Sequence, residues 1–475
     1  MPFYLSAAAL QQRFRIILAS FQQATDLPFA DVLSEEEIQQ ACVDEGVEFG
    51  KEPDDIYTPA LVLWAFLSQM LFKDEQRSCA AAVARVIALL TASGQPAPSP
   101  NTGAYCKARH KLTEGLLMRL ARHCAEQAEE RVPEEWLWHG RRVKLVDGTT
   151  VSMPDTEANQ AEYPQNVAQQ PGLGFPIARL VVLFSLATAM VQGAAIGPHA
   201  GKETGETALF RQLLELLAPG ELLLADRFYC SYFLLALLMT QGRDFAVRLH
   251  QRRTVDWSAG ERLGKRDHVV TWSKPEIPTW MDQTLYEQIP ATIRVRETEV
   301  TISQPGFRTR SLIVVTTLLD AEEFSAEEIG ELYCRRWQAE LHLRAIKITM
   351  GLDILRAKTP GMVRKELWTG LLAYNLIRNT MLQAAHAVKL PPYQLSFTAA
   401  MQTIAASWLM TLFLDEAVQA VLNRATQLVP TSYRIGNRPD RVEPRAIKRR
   451  PKPHDWLTET RSVARRKLLD AGCST

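Results

Sequence analysis

The chain has 475 residues, 47% hydrophobic and 23% charged, which is ordinary for a globular protein of two to four domains with an ample core. Its formal net charge of +1 excludes a strong attraction of the whole molecule to nucleic acid, so any such surface must come from local clusters. The seven cysteines include no Cys-x-x-Cys pair, which argues against a zinc site and predicts reduced thiols in a cytosolic protein.

Residues 1–135 have the apolar spacing of helices. The spacing is clearest in three segments: 59–72, 78–92 and 113–129. A short basic helix follows a proline-rich break and carries Lys107, Arg109 and Lys111, which are candidate contacts to DNA phosphates. The alternative is a basic helix face that is merely solvated. We interpret residues 1–135 as a helical N-terminal DNA-binding domain.

From residue 136 to 250 the pattern changes to short strands and helices. The predicted order is a strand at 143–153, two strands within 179–196, a helix at 205–217, a strand at 222–226, a helix, and a strand at 245–249. This is the order of elements in a ribonuclease-H-like α/β core. The uncharged stretch 180–197 approaches the length of a membrane span, but its glycines and Gln192 favour two strands instead.

An aspartate interrupts the first of these strands, in the sequence Val146-Asp147-Gly148-Thr149-Thr150. Aspartate is depleted in strands, and one inside a central strand needs a partner such as a metal ion. The alternative is that Asp147-Gly148 marks a hairpin turn.

A second aspartate, Asp226, follows the apolar run Leu222-Leu223-Leu224-Ala225. A buried strand would deliver it at its carboxyl end, where ligands gather in α/β sheets. The alternative is that Asp226 caps the helix predicted from about 231 to 241.

The stretch 251–310 alternates valine, threonine, isoleucine and arginine, which predicts a β-rich insertion. A strand at 311–318 then returns the chain to the second part of the core, residues 311–390.

Four residues of the next segment follow a helical spacing: Tyr333, Arg336, Glu340 and Lys347. At about 100° per residue they fall within a stripe roughly 60° wide, and Arg344 joins it. A solvated face with salt bridges is the alternative. However, this fixed pattern arises by chance in a chain of this length in roughly one case in five hundred.

Residues 391–475 are predicted to form a C-terminal helical region and a basic tail. Between Arg434 and Lys467 there are twelve Lys or Arg residues against four Asp or Glu residues. Lys448, Arg449 and Arg450 lie at the centre of this cluster and are candidate DNA contacts. A solvated tail is the alternative.

The spacing of Tyr333, Arg336, Glu340 and Lys347 matches the Tyr-2-Arg-3-Glu-6-Lys signature of bacterial DDE transposases of the insertion-sequence-four family. By motif the chain resembles that family over residues 140–390. The resemblance implies that Glu340 is the third catalytic carboxylate. Asp147 and Asp226 would be the first two, because Asp-Gly-Thr-Thr and Asp-Arg-Phe-Tyr are similar to the family's surroundings for them.

The resemblance further implies two Mg²⁺ ions, with Mn²⁺ as a substitute, held by the three carboxylates for phosphodiester cleavage and transfer. Arg336, Arg344 and Lys347 would bind DNA phosphates, and Tyr333 would position a phosphate or nucleotide near the scissile bond. In relatives that form DNA hairpins, an insertion-domain tryptophan stacks on a flipped base. The candidates here are Trp257, Trp272 and Trp280.

We therefore expect a cut-and-paste DNA transposase that acts as a homodimer on two transposon ends and on target DNA. We expect it in the bacterial cytoplasm, associated with the nucleoid when bound to DNA, with no membrane contact. Two alternatives stay open: a metal-dependent nuclease without joining activity, and a catalytically silent DNA-binding regulator derived from a transposase.

Overall fold

A mixed β-sheet runs through the part of the chain that the computed structural model describes, namely residues 33, 35–50, 55–92, 95–301, 311–407, 431 and 457–471. Its nine described strands are β1 (Val143–Ser152), β2 (Ile177–Ser185), β3 (Val191–Pro198), β4 (Leu222–Ala225), β5 (Asp244–Arg248), β6 (Glu261–Gly264), β7 (Asp267–Ser273), β8 (Thr292–Thr301) and β9 (Ser311–Thr316). Their spatial order is β3-β2-β1-β4-β5-β9-β8-β7-β6. Strands β1, β4 and β5 run parallel, and every other neighbouring pair is antiparallel.

Helices lie on both faces of this sheet. Those in the described residues are α1 (Glu35–Asp44), α2 (Pro59–Leu71), α3 (Cys79–Ala92), α4 (Gly103–Lys111), α5 (Glu114–Glu130), α6 (Glu157–Glu162), α7 (Glu206–Arg211), α8 (Tyr232–Thr240), α9 (Gln283–Gln288), α10 (Ala326–Cys334), α11 (Trp337–Arg344), α12 (Pro360–Val388), α13 (Phe397–Ser407) and α14 (Arg461–Asp470). Hydroxyl side chains mark several helix starts, because they accept a hydrogen bond from a backbone N–H that has no partner within the helix. Thr58 does so for α2 and Thr113 for α5, while Ser325 and Glu328 form a reciprocal capping box at α10.

Strand β1 contributes to a hydrophobic core on each face of the sheet, because its side chains alternate between the faces. Leu145 and Val151 belong to a core shared with α5 and α12, whereas Val146 belongs to a second core shared with α7 and α8. The predicted strands at 143–153, 222–226 and 245–249 are confirmed. The charge-free stretch 180–197 forms β2 and β3, as predicted. Within the described residues, no helix is long and apolar enough to span a bilayer.

One predicted helix is shorter than expected. The helix predicted at 205–217 ends at Arg211, and a tighter turn replaces its last part at Leu214–Leu216. There the backbone N–H groups of Leu213 and Leu216 bond carbonyls three residues back rather than four.

The described part of the predicted β-rich stretch, 251–301, does form strands, together with helix α9, and residues 302–310 lie outside the described residues. These strands join the sheet, because residues 296–301 of β8 pair with β9. Arg296 of β8 is fully buried, pairs with Asp267 at 2.6 Å and donates to the Phe324 carbonyl at 2.6 Å. This β-rich stretch is therefore tied to the chain that leads into α10.

The N-terminal helices pack against the sheet and against α12, where α2 and α5 lie in the same hydrophobic core as β1. A buried lysine reinforces this contact: Lys144 of β1 bonds Glu129 of α5 at 3.1 Å and Glu221 at 3.2 Å. Asn375 of α12 also joins the two parts, since its amide donates to the carbonyls of Ala121 and Val191.

Two predictions for the C-terminal region extend beyond the described residues. The helix predicted at 363–386 is α12, and the helix predicted at 395–424 begins as α13, which is described as far as Ser407. Lys448, Arg449 and Arg450 lie outside the described residues, so their DNA contact stays a prediction.

Candidate active site

The first candidate carboxylate, Asp147, lies in the middle of β1. It pairs with Val182 of β2, and Gly148 and Thr149 continue the same ladder. The hairpin-turn alternative for Asp147-Gly148 is therefore wrong. The Asp147 side chain accepts a hydrogen bond from the Gly148 N–H at 2.9 Å.

The second candidate, Asp226, directly follows β4, which runs parallel to β1. Its carboxylate caps the short turn Arg227–Tyr229 by accepting from the Phe228 N–H at 2.8 Å. Helix α8 has its own cap, Ser231, so the alternative in which Asp226 caps that helix is wrong. Parallel pairing of β1 with β4 brings Asp226 to the side of β1 where Asp147 lies.

The third candidate, Glu340, lies on α11, but the segment from Tyr333 to Lys347 is not the single regular helix that its spacing suggested. Helix α10 ends at Cys334, α11 begins at Trp337, and a π-helical turn follows at Ala345–Thr349. Between α10 and α11 the backbone bonds reach three residues back, as from Gln338 to the Arg335 carbonyl at 2.9 Å. Because of this tightening, Tyr333 does not share the helix face that carries Arg336, Glu340 and Lys347.

The inner side of α11 is fixed by a buried histidine. His342 is only 3% exposed, and its Nδ1 accepts a hydrogen bond from Arg378 of α12 at 3.1 Å. Burial, and then the nearby Arg378 charge, lower the pKa of His342 well below its ordinary value, so the ring is a neutral acceptor. The contact holds α11 against α12 and leaves Glu340 on the open side.

These carboxylates line one open cleft of about 450 Å³. Its lining combines acidic, basic and apolar side chains: Asp147, Gly148, Thr149, Asp226, Arg336, Glu340, Leu343, Arg344, Lys347 and Ile348. Arg336 pairs with Glu340 at 2.9 Å, and the Lys347 ammonium donates to the Thr149 hydroxyl at 2.8 Å. The structure thus brings together the three acids and three of the four signature-segment residues predicted to bind DNA.

Burial raises the pKa of Asp147 to about 6. Arg336 and the Gly148 N–H oppose this effect, and the negative charges of Glu340 and Asp226 add to it. Burial likewise lowers the pKa of Lys347. Acidic groups that repel each other in a half-buried cleft favour a bound cation, which would offset that repulsion.

The donor set fits a hard divalent cation, since three carboxylates with no sulfur or imidazole are what Mg²⁺ and Mn²⁺ prefer. The side chains as placed do not yet converge. Within the described residues, no three His, Cys, Asp or Glu side chains are close enough together to hold a metal ion. Glu340 is turned toward Arg336, so cation binding would require that ion pair to loosen.

Tyr333 does not lie in the cleft, contrary to its predicted contact with a phosphate or nucleotide. It is 5% exposed, and its hydroxyl donates to the carbonyl of Ala225, the last residue of β4, at 3.2 Å. Burial raises the pKa of the Tyr333 phenol further above its ordinary value. The residue anchors α10 beneath the turn that carries Asp226.

Arg109 also differs from its predicted role as a DNA contact. Its guanidinium donates to the Gln69 side chain at 3.0 Å and lies over the rings of Phe66 and Tyr105. Lys107 and Lys111 of the same helix are exposed, so they stay candidate contacts.

The three candidate tryptophans have partners within the protein. Trp272 is 6% exposed and donates to Glu297 at 2.8 Å, which excludes it from stacking on a base. The ring of Trp257 lies 4.9 Å from that of His268, and the Arg211 guanidinium covers Trp280 at 3.8 Å.

Sequence reasoning missed several residues of the site. Thr149 shares the Asp147 face of β1, and the alternation of strand side chains could have identified it. Glu206 packs behind Gly148, where its carboxyl carbon lies 2.4 Å from the position that a Cβ of residue 148 would take. Glu206 is distant in sequence from both aspartates, and no local pattern marks it.

Comparisons with known proteins show which proteins this chain is similar to. A family model described as "Transposase DDE domain" matches residues 138–376. The chain is 27% identical over 395 residues to the transposase InsG for insertion sequence element IS4 of Escherichia coli strain K12, covering 82% of this chain and 85% of that protein. It is 38% identical over 65 residues to the transposase for insertion sequence element IS421 of Escherichia coli, covering 14% and 18% of the two chains. Among solved structures, the piggyBac transposase synaptic complex with hairpin DNA has a TM-score of 0.41 at 9% identity, covering 87% of this chain and 85% of that one.

Proposed function

The chain belongs to the DDE transposase family, and we propose that the cleft between β1, β4 and α11 cuts DNA at transposon ends and joins the cut ends to target DNA. Asp147, Asp226 and Glu340 line this cleft together. Their presence in one cleft, in a chain whose family model spans all three acids, is the observation that carries the proposal. The nuclease and silent-regulator alternatives gain no support from the site or from the relatives.

We propose a ribonuclease-H-like core as the scaffold. Its support is the strand order β3-β2-β1-β4-β5, in which β1 to β3 form an antiparallel meander and β4 and β5 run parallel to β1. In this order the central strand carries Asp147, and its parallel neighbour delivers Asp226.

Asp147, Asp226 and Glu340 would hold divalent cations, which we propose to be two Mg²⁺ ions with Mn²⁺ as a substitute. When bound, such ions activate the attacking oxygen and stabilise the leaving oxygen of phosphodiester transfer. Asp147 must be ionised to bind a cation, and the nearby Arg336 guanidinium favours that ionised form. Glu340 can bind a cation once Arg336 leaves it and pairs with another anion, such as a DNA phosphate.

The basic residues of the cleft would hold the DNA. Arg336 and Lys347 lie beside the carboxylates, and Arg344 lines the same opening. Each can bind a phosphate of the strand to be cut, and Arg336 can exchange its Glu340 partner for that phosphate. Lys347 is oriented by Thr149, so its ammonium is already directed toward β1.

We further propose that the partners are transposon-end and target DNA, and that a homodimer acts on two ends. Because DNA is the substrate, the place of action would be the bacterial cytoplasm, at the nucleoid. Lys107 and Lys111 of α4 supply exposed positive charge away from the cleft for additional phosphate contacts.

Strand cleavage and joining on labelled duplexes from the DNA that flanks the gene would test this function. Wild type with Mg²⁺ or Mn²⁺ should cut at a defined boundary and give joined product, and Glu340→Gln should lose both. Glu331→Gln is the matched control, because Glu331 lies exposed on α10 outside the cleft. DNA binding without metal-dependent products would contradict the proposal, and cleavage that persists in Glu340→Gln would show that the site lies elsewhere.

A further inference from the structure

A fourth acidic residue lies behind the cleft, on the other face of β1. Asp147 and Gly148 are neighbours in the strand, so their side-chain positions point to opposite faces. Glu206, the first residue of α7, occupies the space that a side chain at 148 would need. A Cβ at Gly148 would lie 2.4 Å from the Glu206 carboxyl carbon and 2.7 Å from its Oε1. The glycine therefore admits the Glu206 carboxylate directly against the backbone beside Asp147.

An arginine from the neighbouring strand holds this carboxylate. Arg179 of β2 donates to Glu206 at 3.3 Å and to the carbonyl of His199 at 3.2 Å. Burial raises the pKa of Glu206, Arg179 opposes the rise, and the charge of Asp226 adds to it. Arg179 thus fixes Glu206 in place, and Glu206 lies close enough to Asp226 for the two charges to interact.

A buried hydroxyl without a partner lies in the same place. Tyr229 is fully buried, with its ring edge-to-face against Phe210 at 5.4 Å. Its hydroxyl makes no hydrogen bond to any described residue. Burial raises the pKa of Tyr229 well above its ordinary value, and the charges of Glu206, Asp147 and Asp226 raise it further. A buried donor without an acceptor is destabilising, so an acceptor supplied by a rearranged carboxylate would stabilise the site.

We propose that Glu206 and Tyr229 are positioning residues of the cation site, acting on Asp147 and Asp226 from behind the sheet through the gap at Gly148. The Glu206 carboxylate adds a fourth negative charge to the field that attracts a divalent cation. The Tyr229 hydroxyl donates to one of the carboxylates when the cation draws Asp147 and Asp226 together. This inference rests on the proposed cation site but not on the DNA reaction.

The inference is tested by measuring Mn²⁺ binding to the full chain, without DNA, by titration calorimetry. Removing the Glu206 charge in Glu206→Gln should weaken Mn²⁺ binding about tenfold, and Tyr229→Phe about threefold, because a buried charge contributes more than one hydrogen bond. Glu206→Asp should recover part of the affinity. Glu203→Gln is the matched control: it removes the same charge three residues away, where the side chain is 52% exposed, and should bind Mn²⁺ like wild type.

A purely structural role would give a different result. Glu206→Gln would then lose thermal stability without cation and Tyr229→Phe would not, while both variants bound Mn²⁺ with wild-type affinity, and this outcome would overturn the inference. Tyr229→Phe removes one atom that has no partner and should fold, so it decides the matter even where Glu206→Gln is unstable. If wild type binds Mn²⁺ and responds to Glu206→Gln but cuts no DNA, the proposed function fails while this inference holds.

Discussion

Arg336 and Glu340 form an ion pair across one turn of the cleft wall, with 2.9 Å between Nη2 and Oε1. Glu340 is 37% exposed in its side chain and Arg336 17%, so the pair lies at the mouth rather than in the core. The same arginine favours the ionised form of Asp147. Arg336 therefore neutralises the carboxylates where a divalent cation would bind, and it competes with that cation for Glu340.

Removing the Arg336 charge should separate cation binding from catalysis. We expect Arg336→Gln to bind Mn²⁺ about fivefold more tightly without DNA, because Glu340 is released and a repelling charge is lost. Cleavage of transposon-end DNA should nevertheless fall, because the phosphate loses its guanidinium partner. Calorimetry and a strand-cleavage assay on the same preparation measure the two effects. Arg336→Lys keeps the charge and should remain close to wild type in Mn²⁺ affinity, whereas weaker Mn²⁺ binding by Arg336→Gln would contradict this account.

The raised pKa of Asp147 gives a pH-dependent stability. Since its pKa rises from 3.8 to about 6 on folding, the folded state holds the proton more tightly than the unfolded chain does. The resulting stabilisation is fully present below about pH 4 and is lost as pH rises through about 6. Without divalent cation, Asp147→Asn should therefore be more stable than wild type by about 2 kcal/mol at pH 8, with no difference near pH 4.

Urea denaturation at a series of pH values measures this difference. Asp155→Asn, at an exposed aspartate outside the cleft, is the control and should follow wild type at every pH. Added Mn²⁺ should stabilise wild type but not Asp147→Asn. A constant stability difference between wild type and Asp147→Asn from pH 4 to 8 would show that Asp147 is not the source.

The buried position of Tyr333 predicts a stability effect with little catalytic effect. Tyr333→Phe removes the hydrogen bond to the Ala225 carbonyl and should cost about 1 to 2 kcal/mol of unfolding free energy. Cleavage per folded molecule should stay within about twofold of wild type, since the hydroxyl is bonded to the Ala225 carbonyl and Tyr333 is not among the residues that line the cleft. Denaturation and cleavage at a temperature well below the transition measure the two quantities. Unchanged stability with lost cleavage would return Tyr333 to the phosphate-binding role that its spacing suggested.

The sequence singled out the two aspartates because each departs from a local rule. Asp147 interrupts an apolar strand, and Asp226 follows a run of buried residues that ends abruptly. Tyr333 could not be placed in this way. Its spacing to Glu340 fits one helix face only if the helix is regular, and the backbone tightens between them. Its burial depends on Ala225, which is 108 positions away.

The pairing of the β-rich stretch and the residues behind the cleft could not be predicted from local sequence patterns either. Alternating residues at 292–301 predicted a strand correctly, but not that β8 would continue the main sheet through β9, because pairing partners are not a local property. Glu206 reaches the site only because Gly148 leaves room for it. Contacts between distant parts of a chain depend on packing, which periodicity does not encode.

Neighbouring residues of helix α4 should have different roles, some in DNA contact and one in packing. Lys107 and Lys111 are exposed, so replacing both with alanine should lower stability by no more than about 1 kcal/mol, from the loss of the Lys111 contact with the Phe49 ring. It should weaken DNA binding and reduce the slope of log affinity against log salt by about 2, one for each lost phosphate contact. Arg109→Ala should instead destabilise the protein by about 2 kcal/mol, because Gln69 loses a donor and the Phe66 ring loses its cover. Binding titrations at several salt concentrations, with thermal denaturation beside them, distinguish the two variants. A salt slope that does not change in the double lysine variant would remove α4 from the DNA surface.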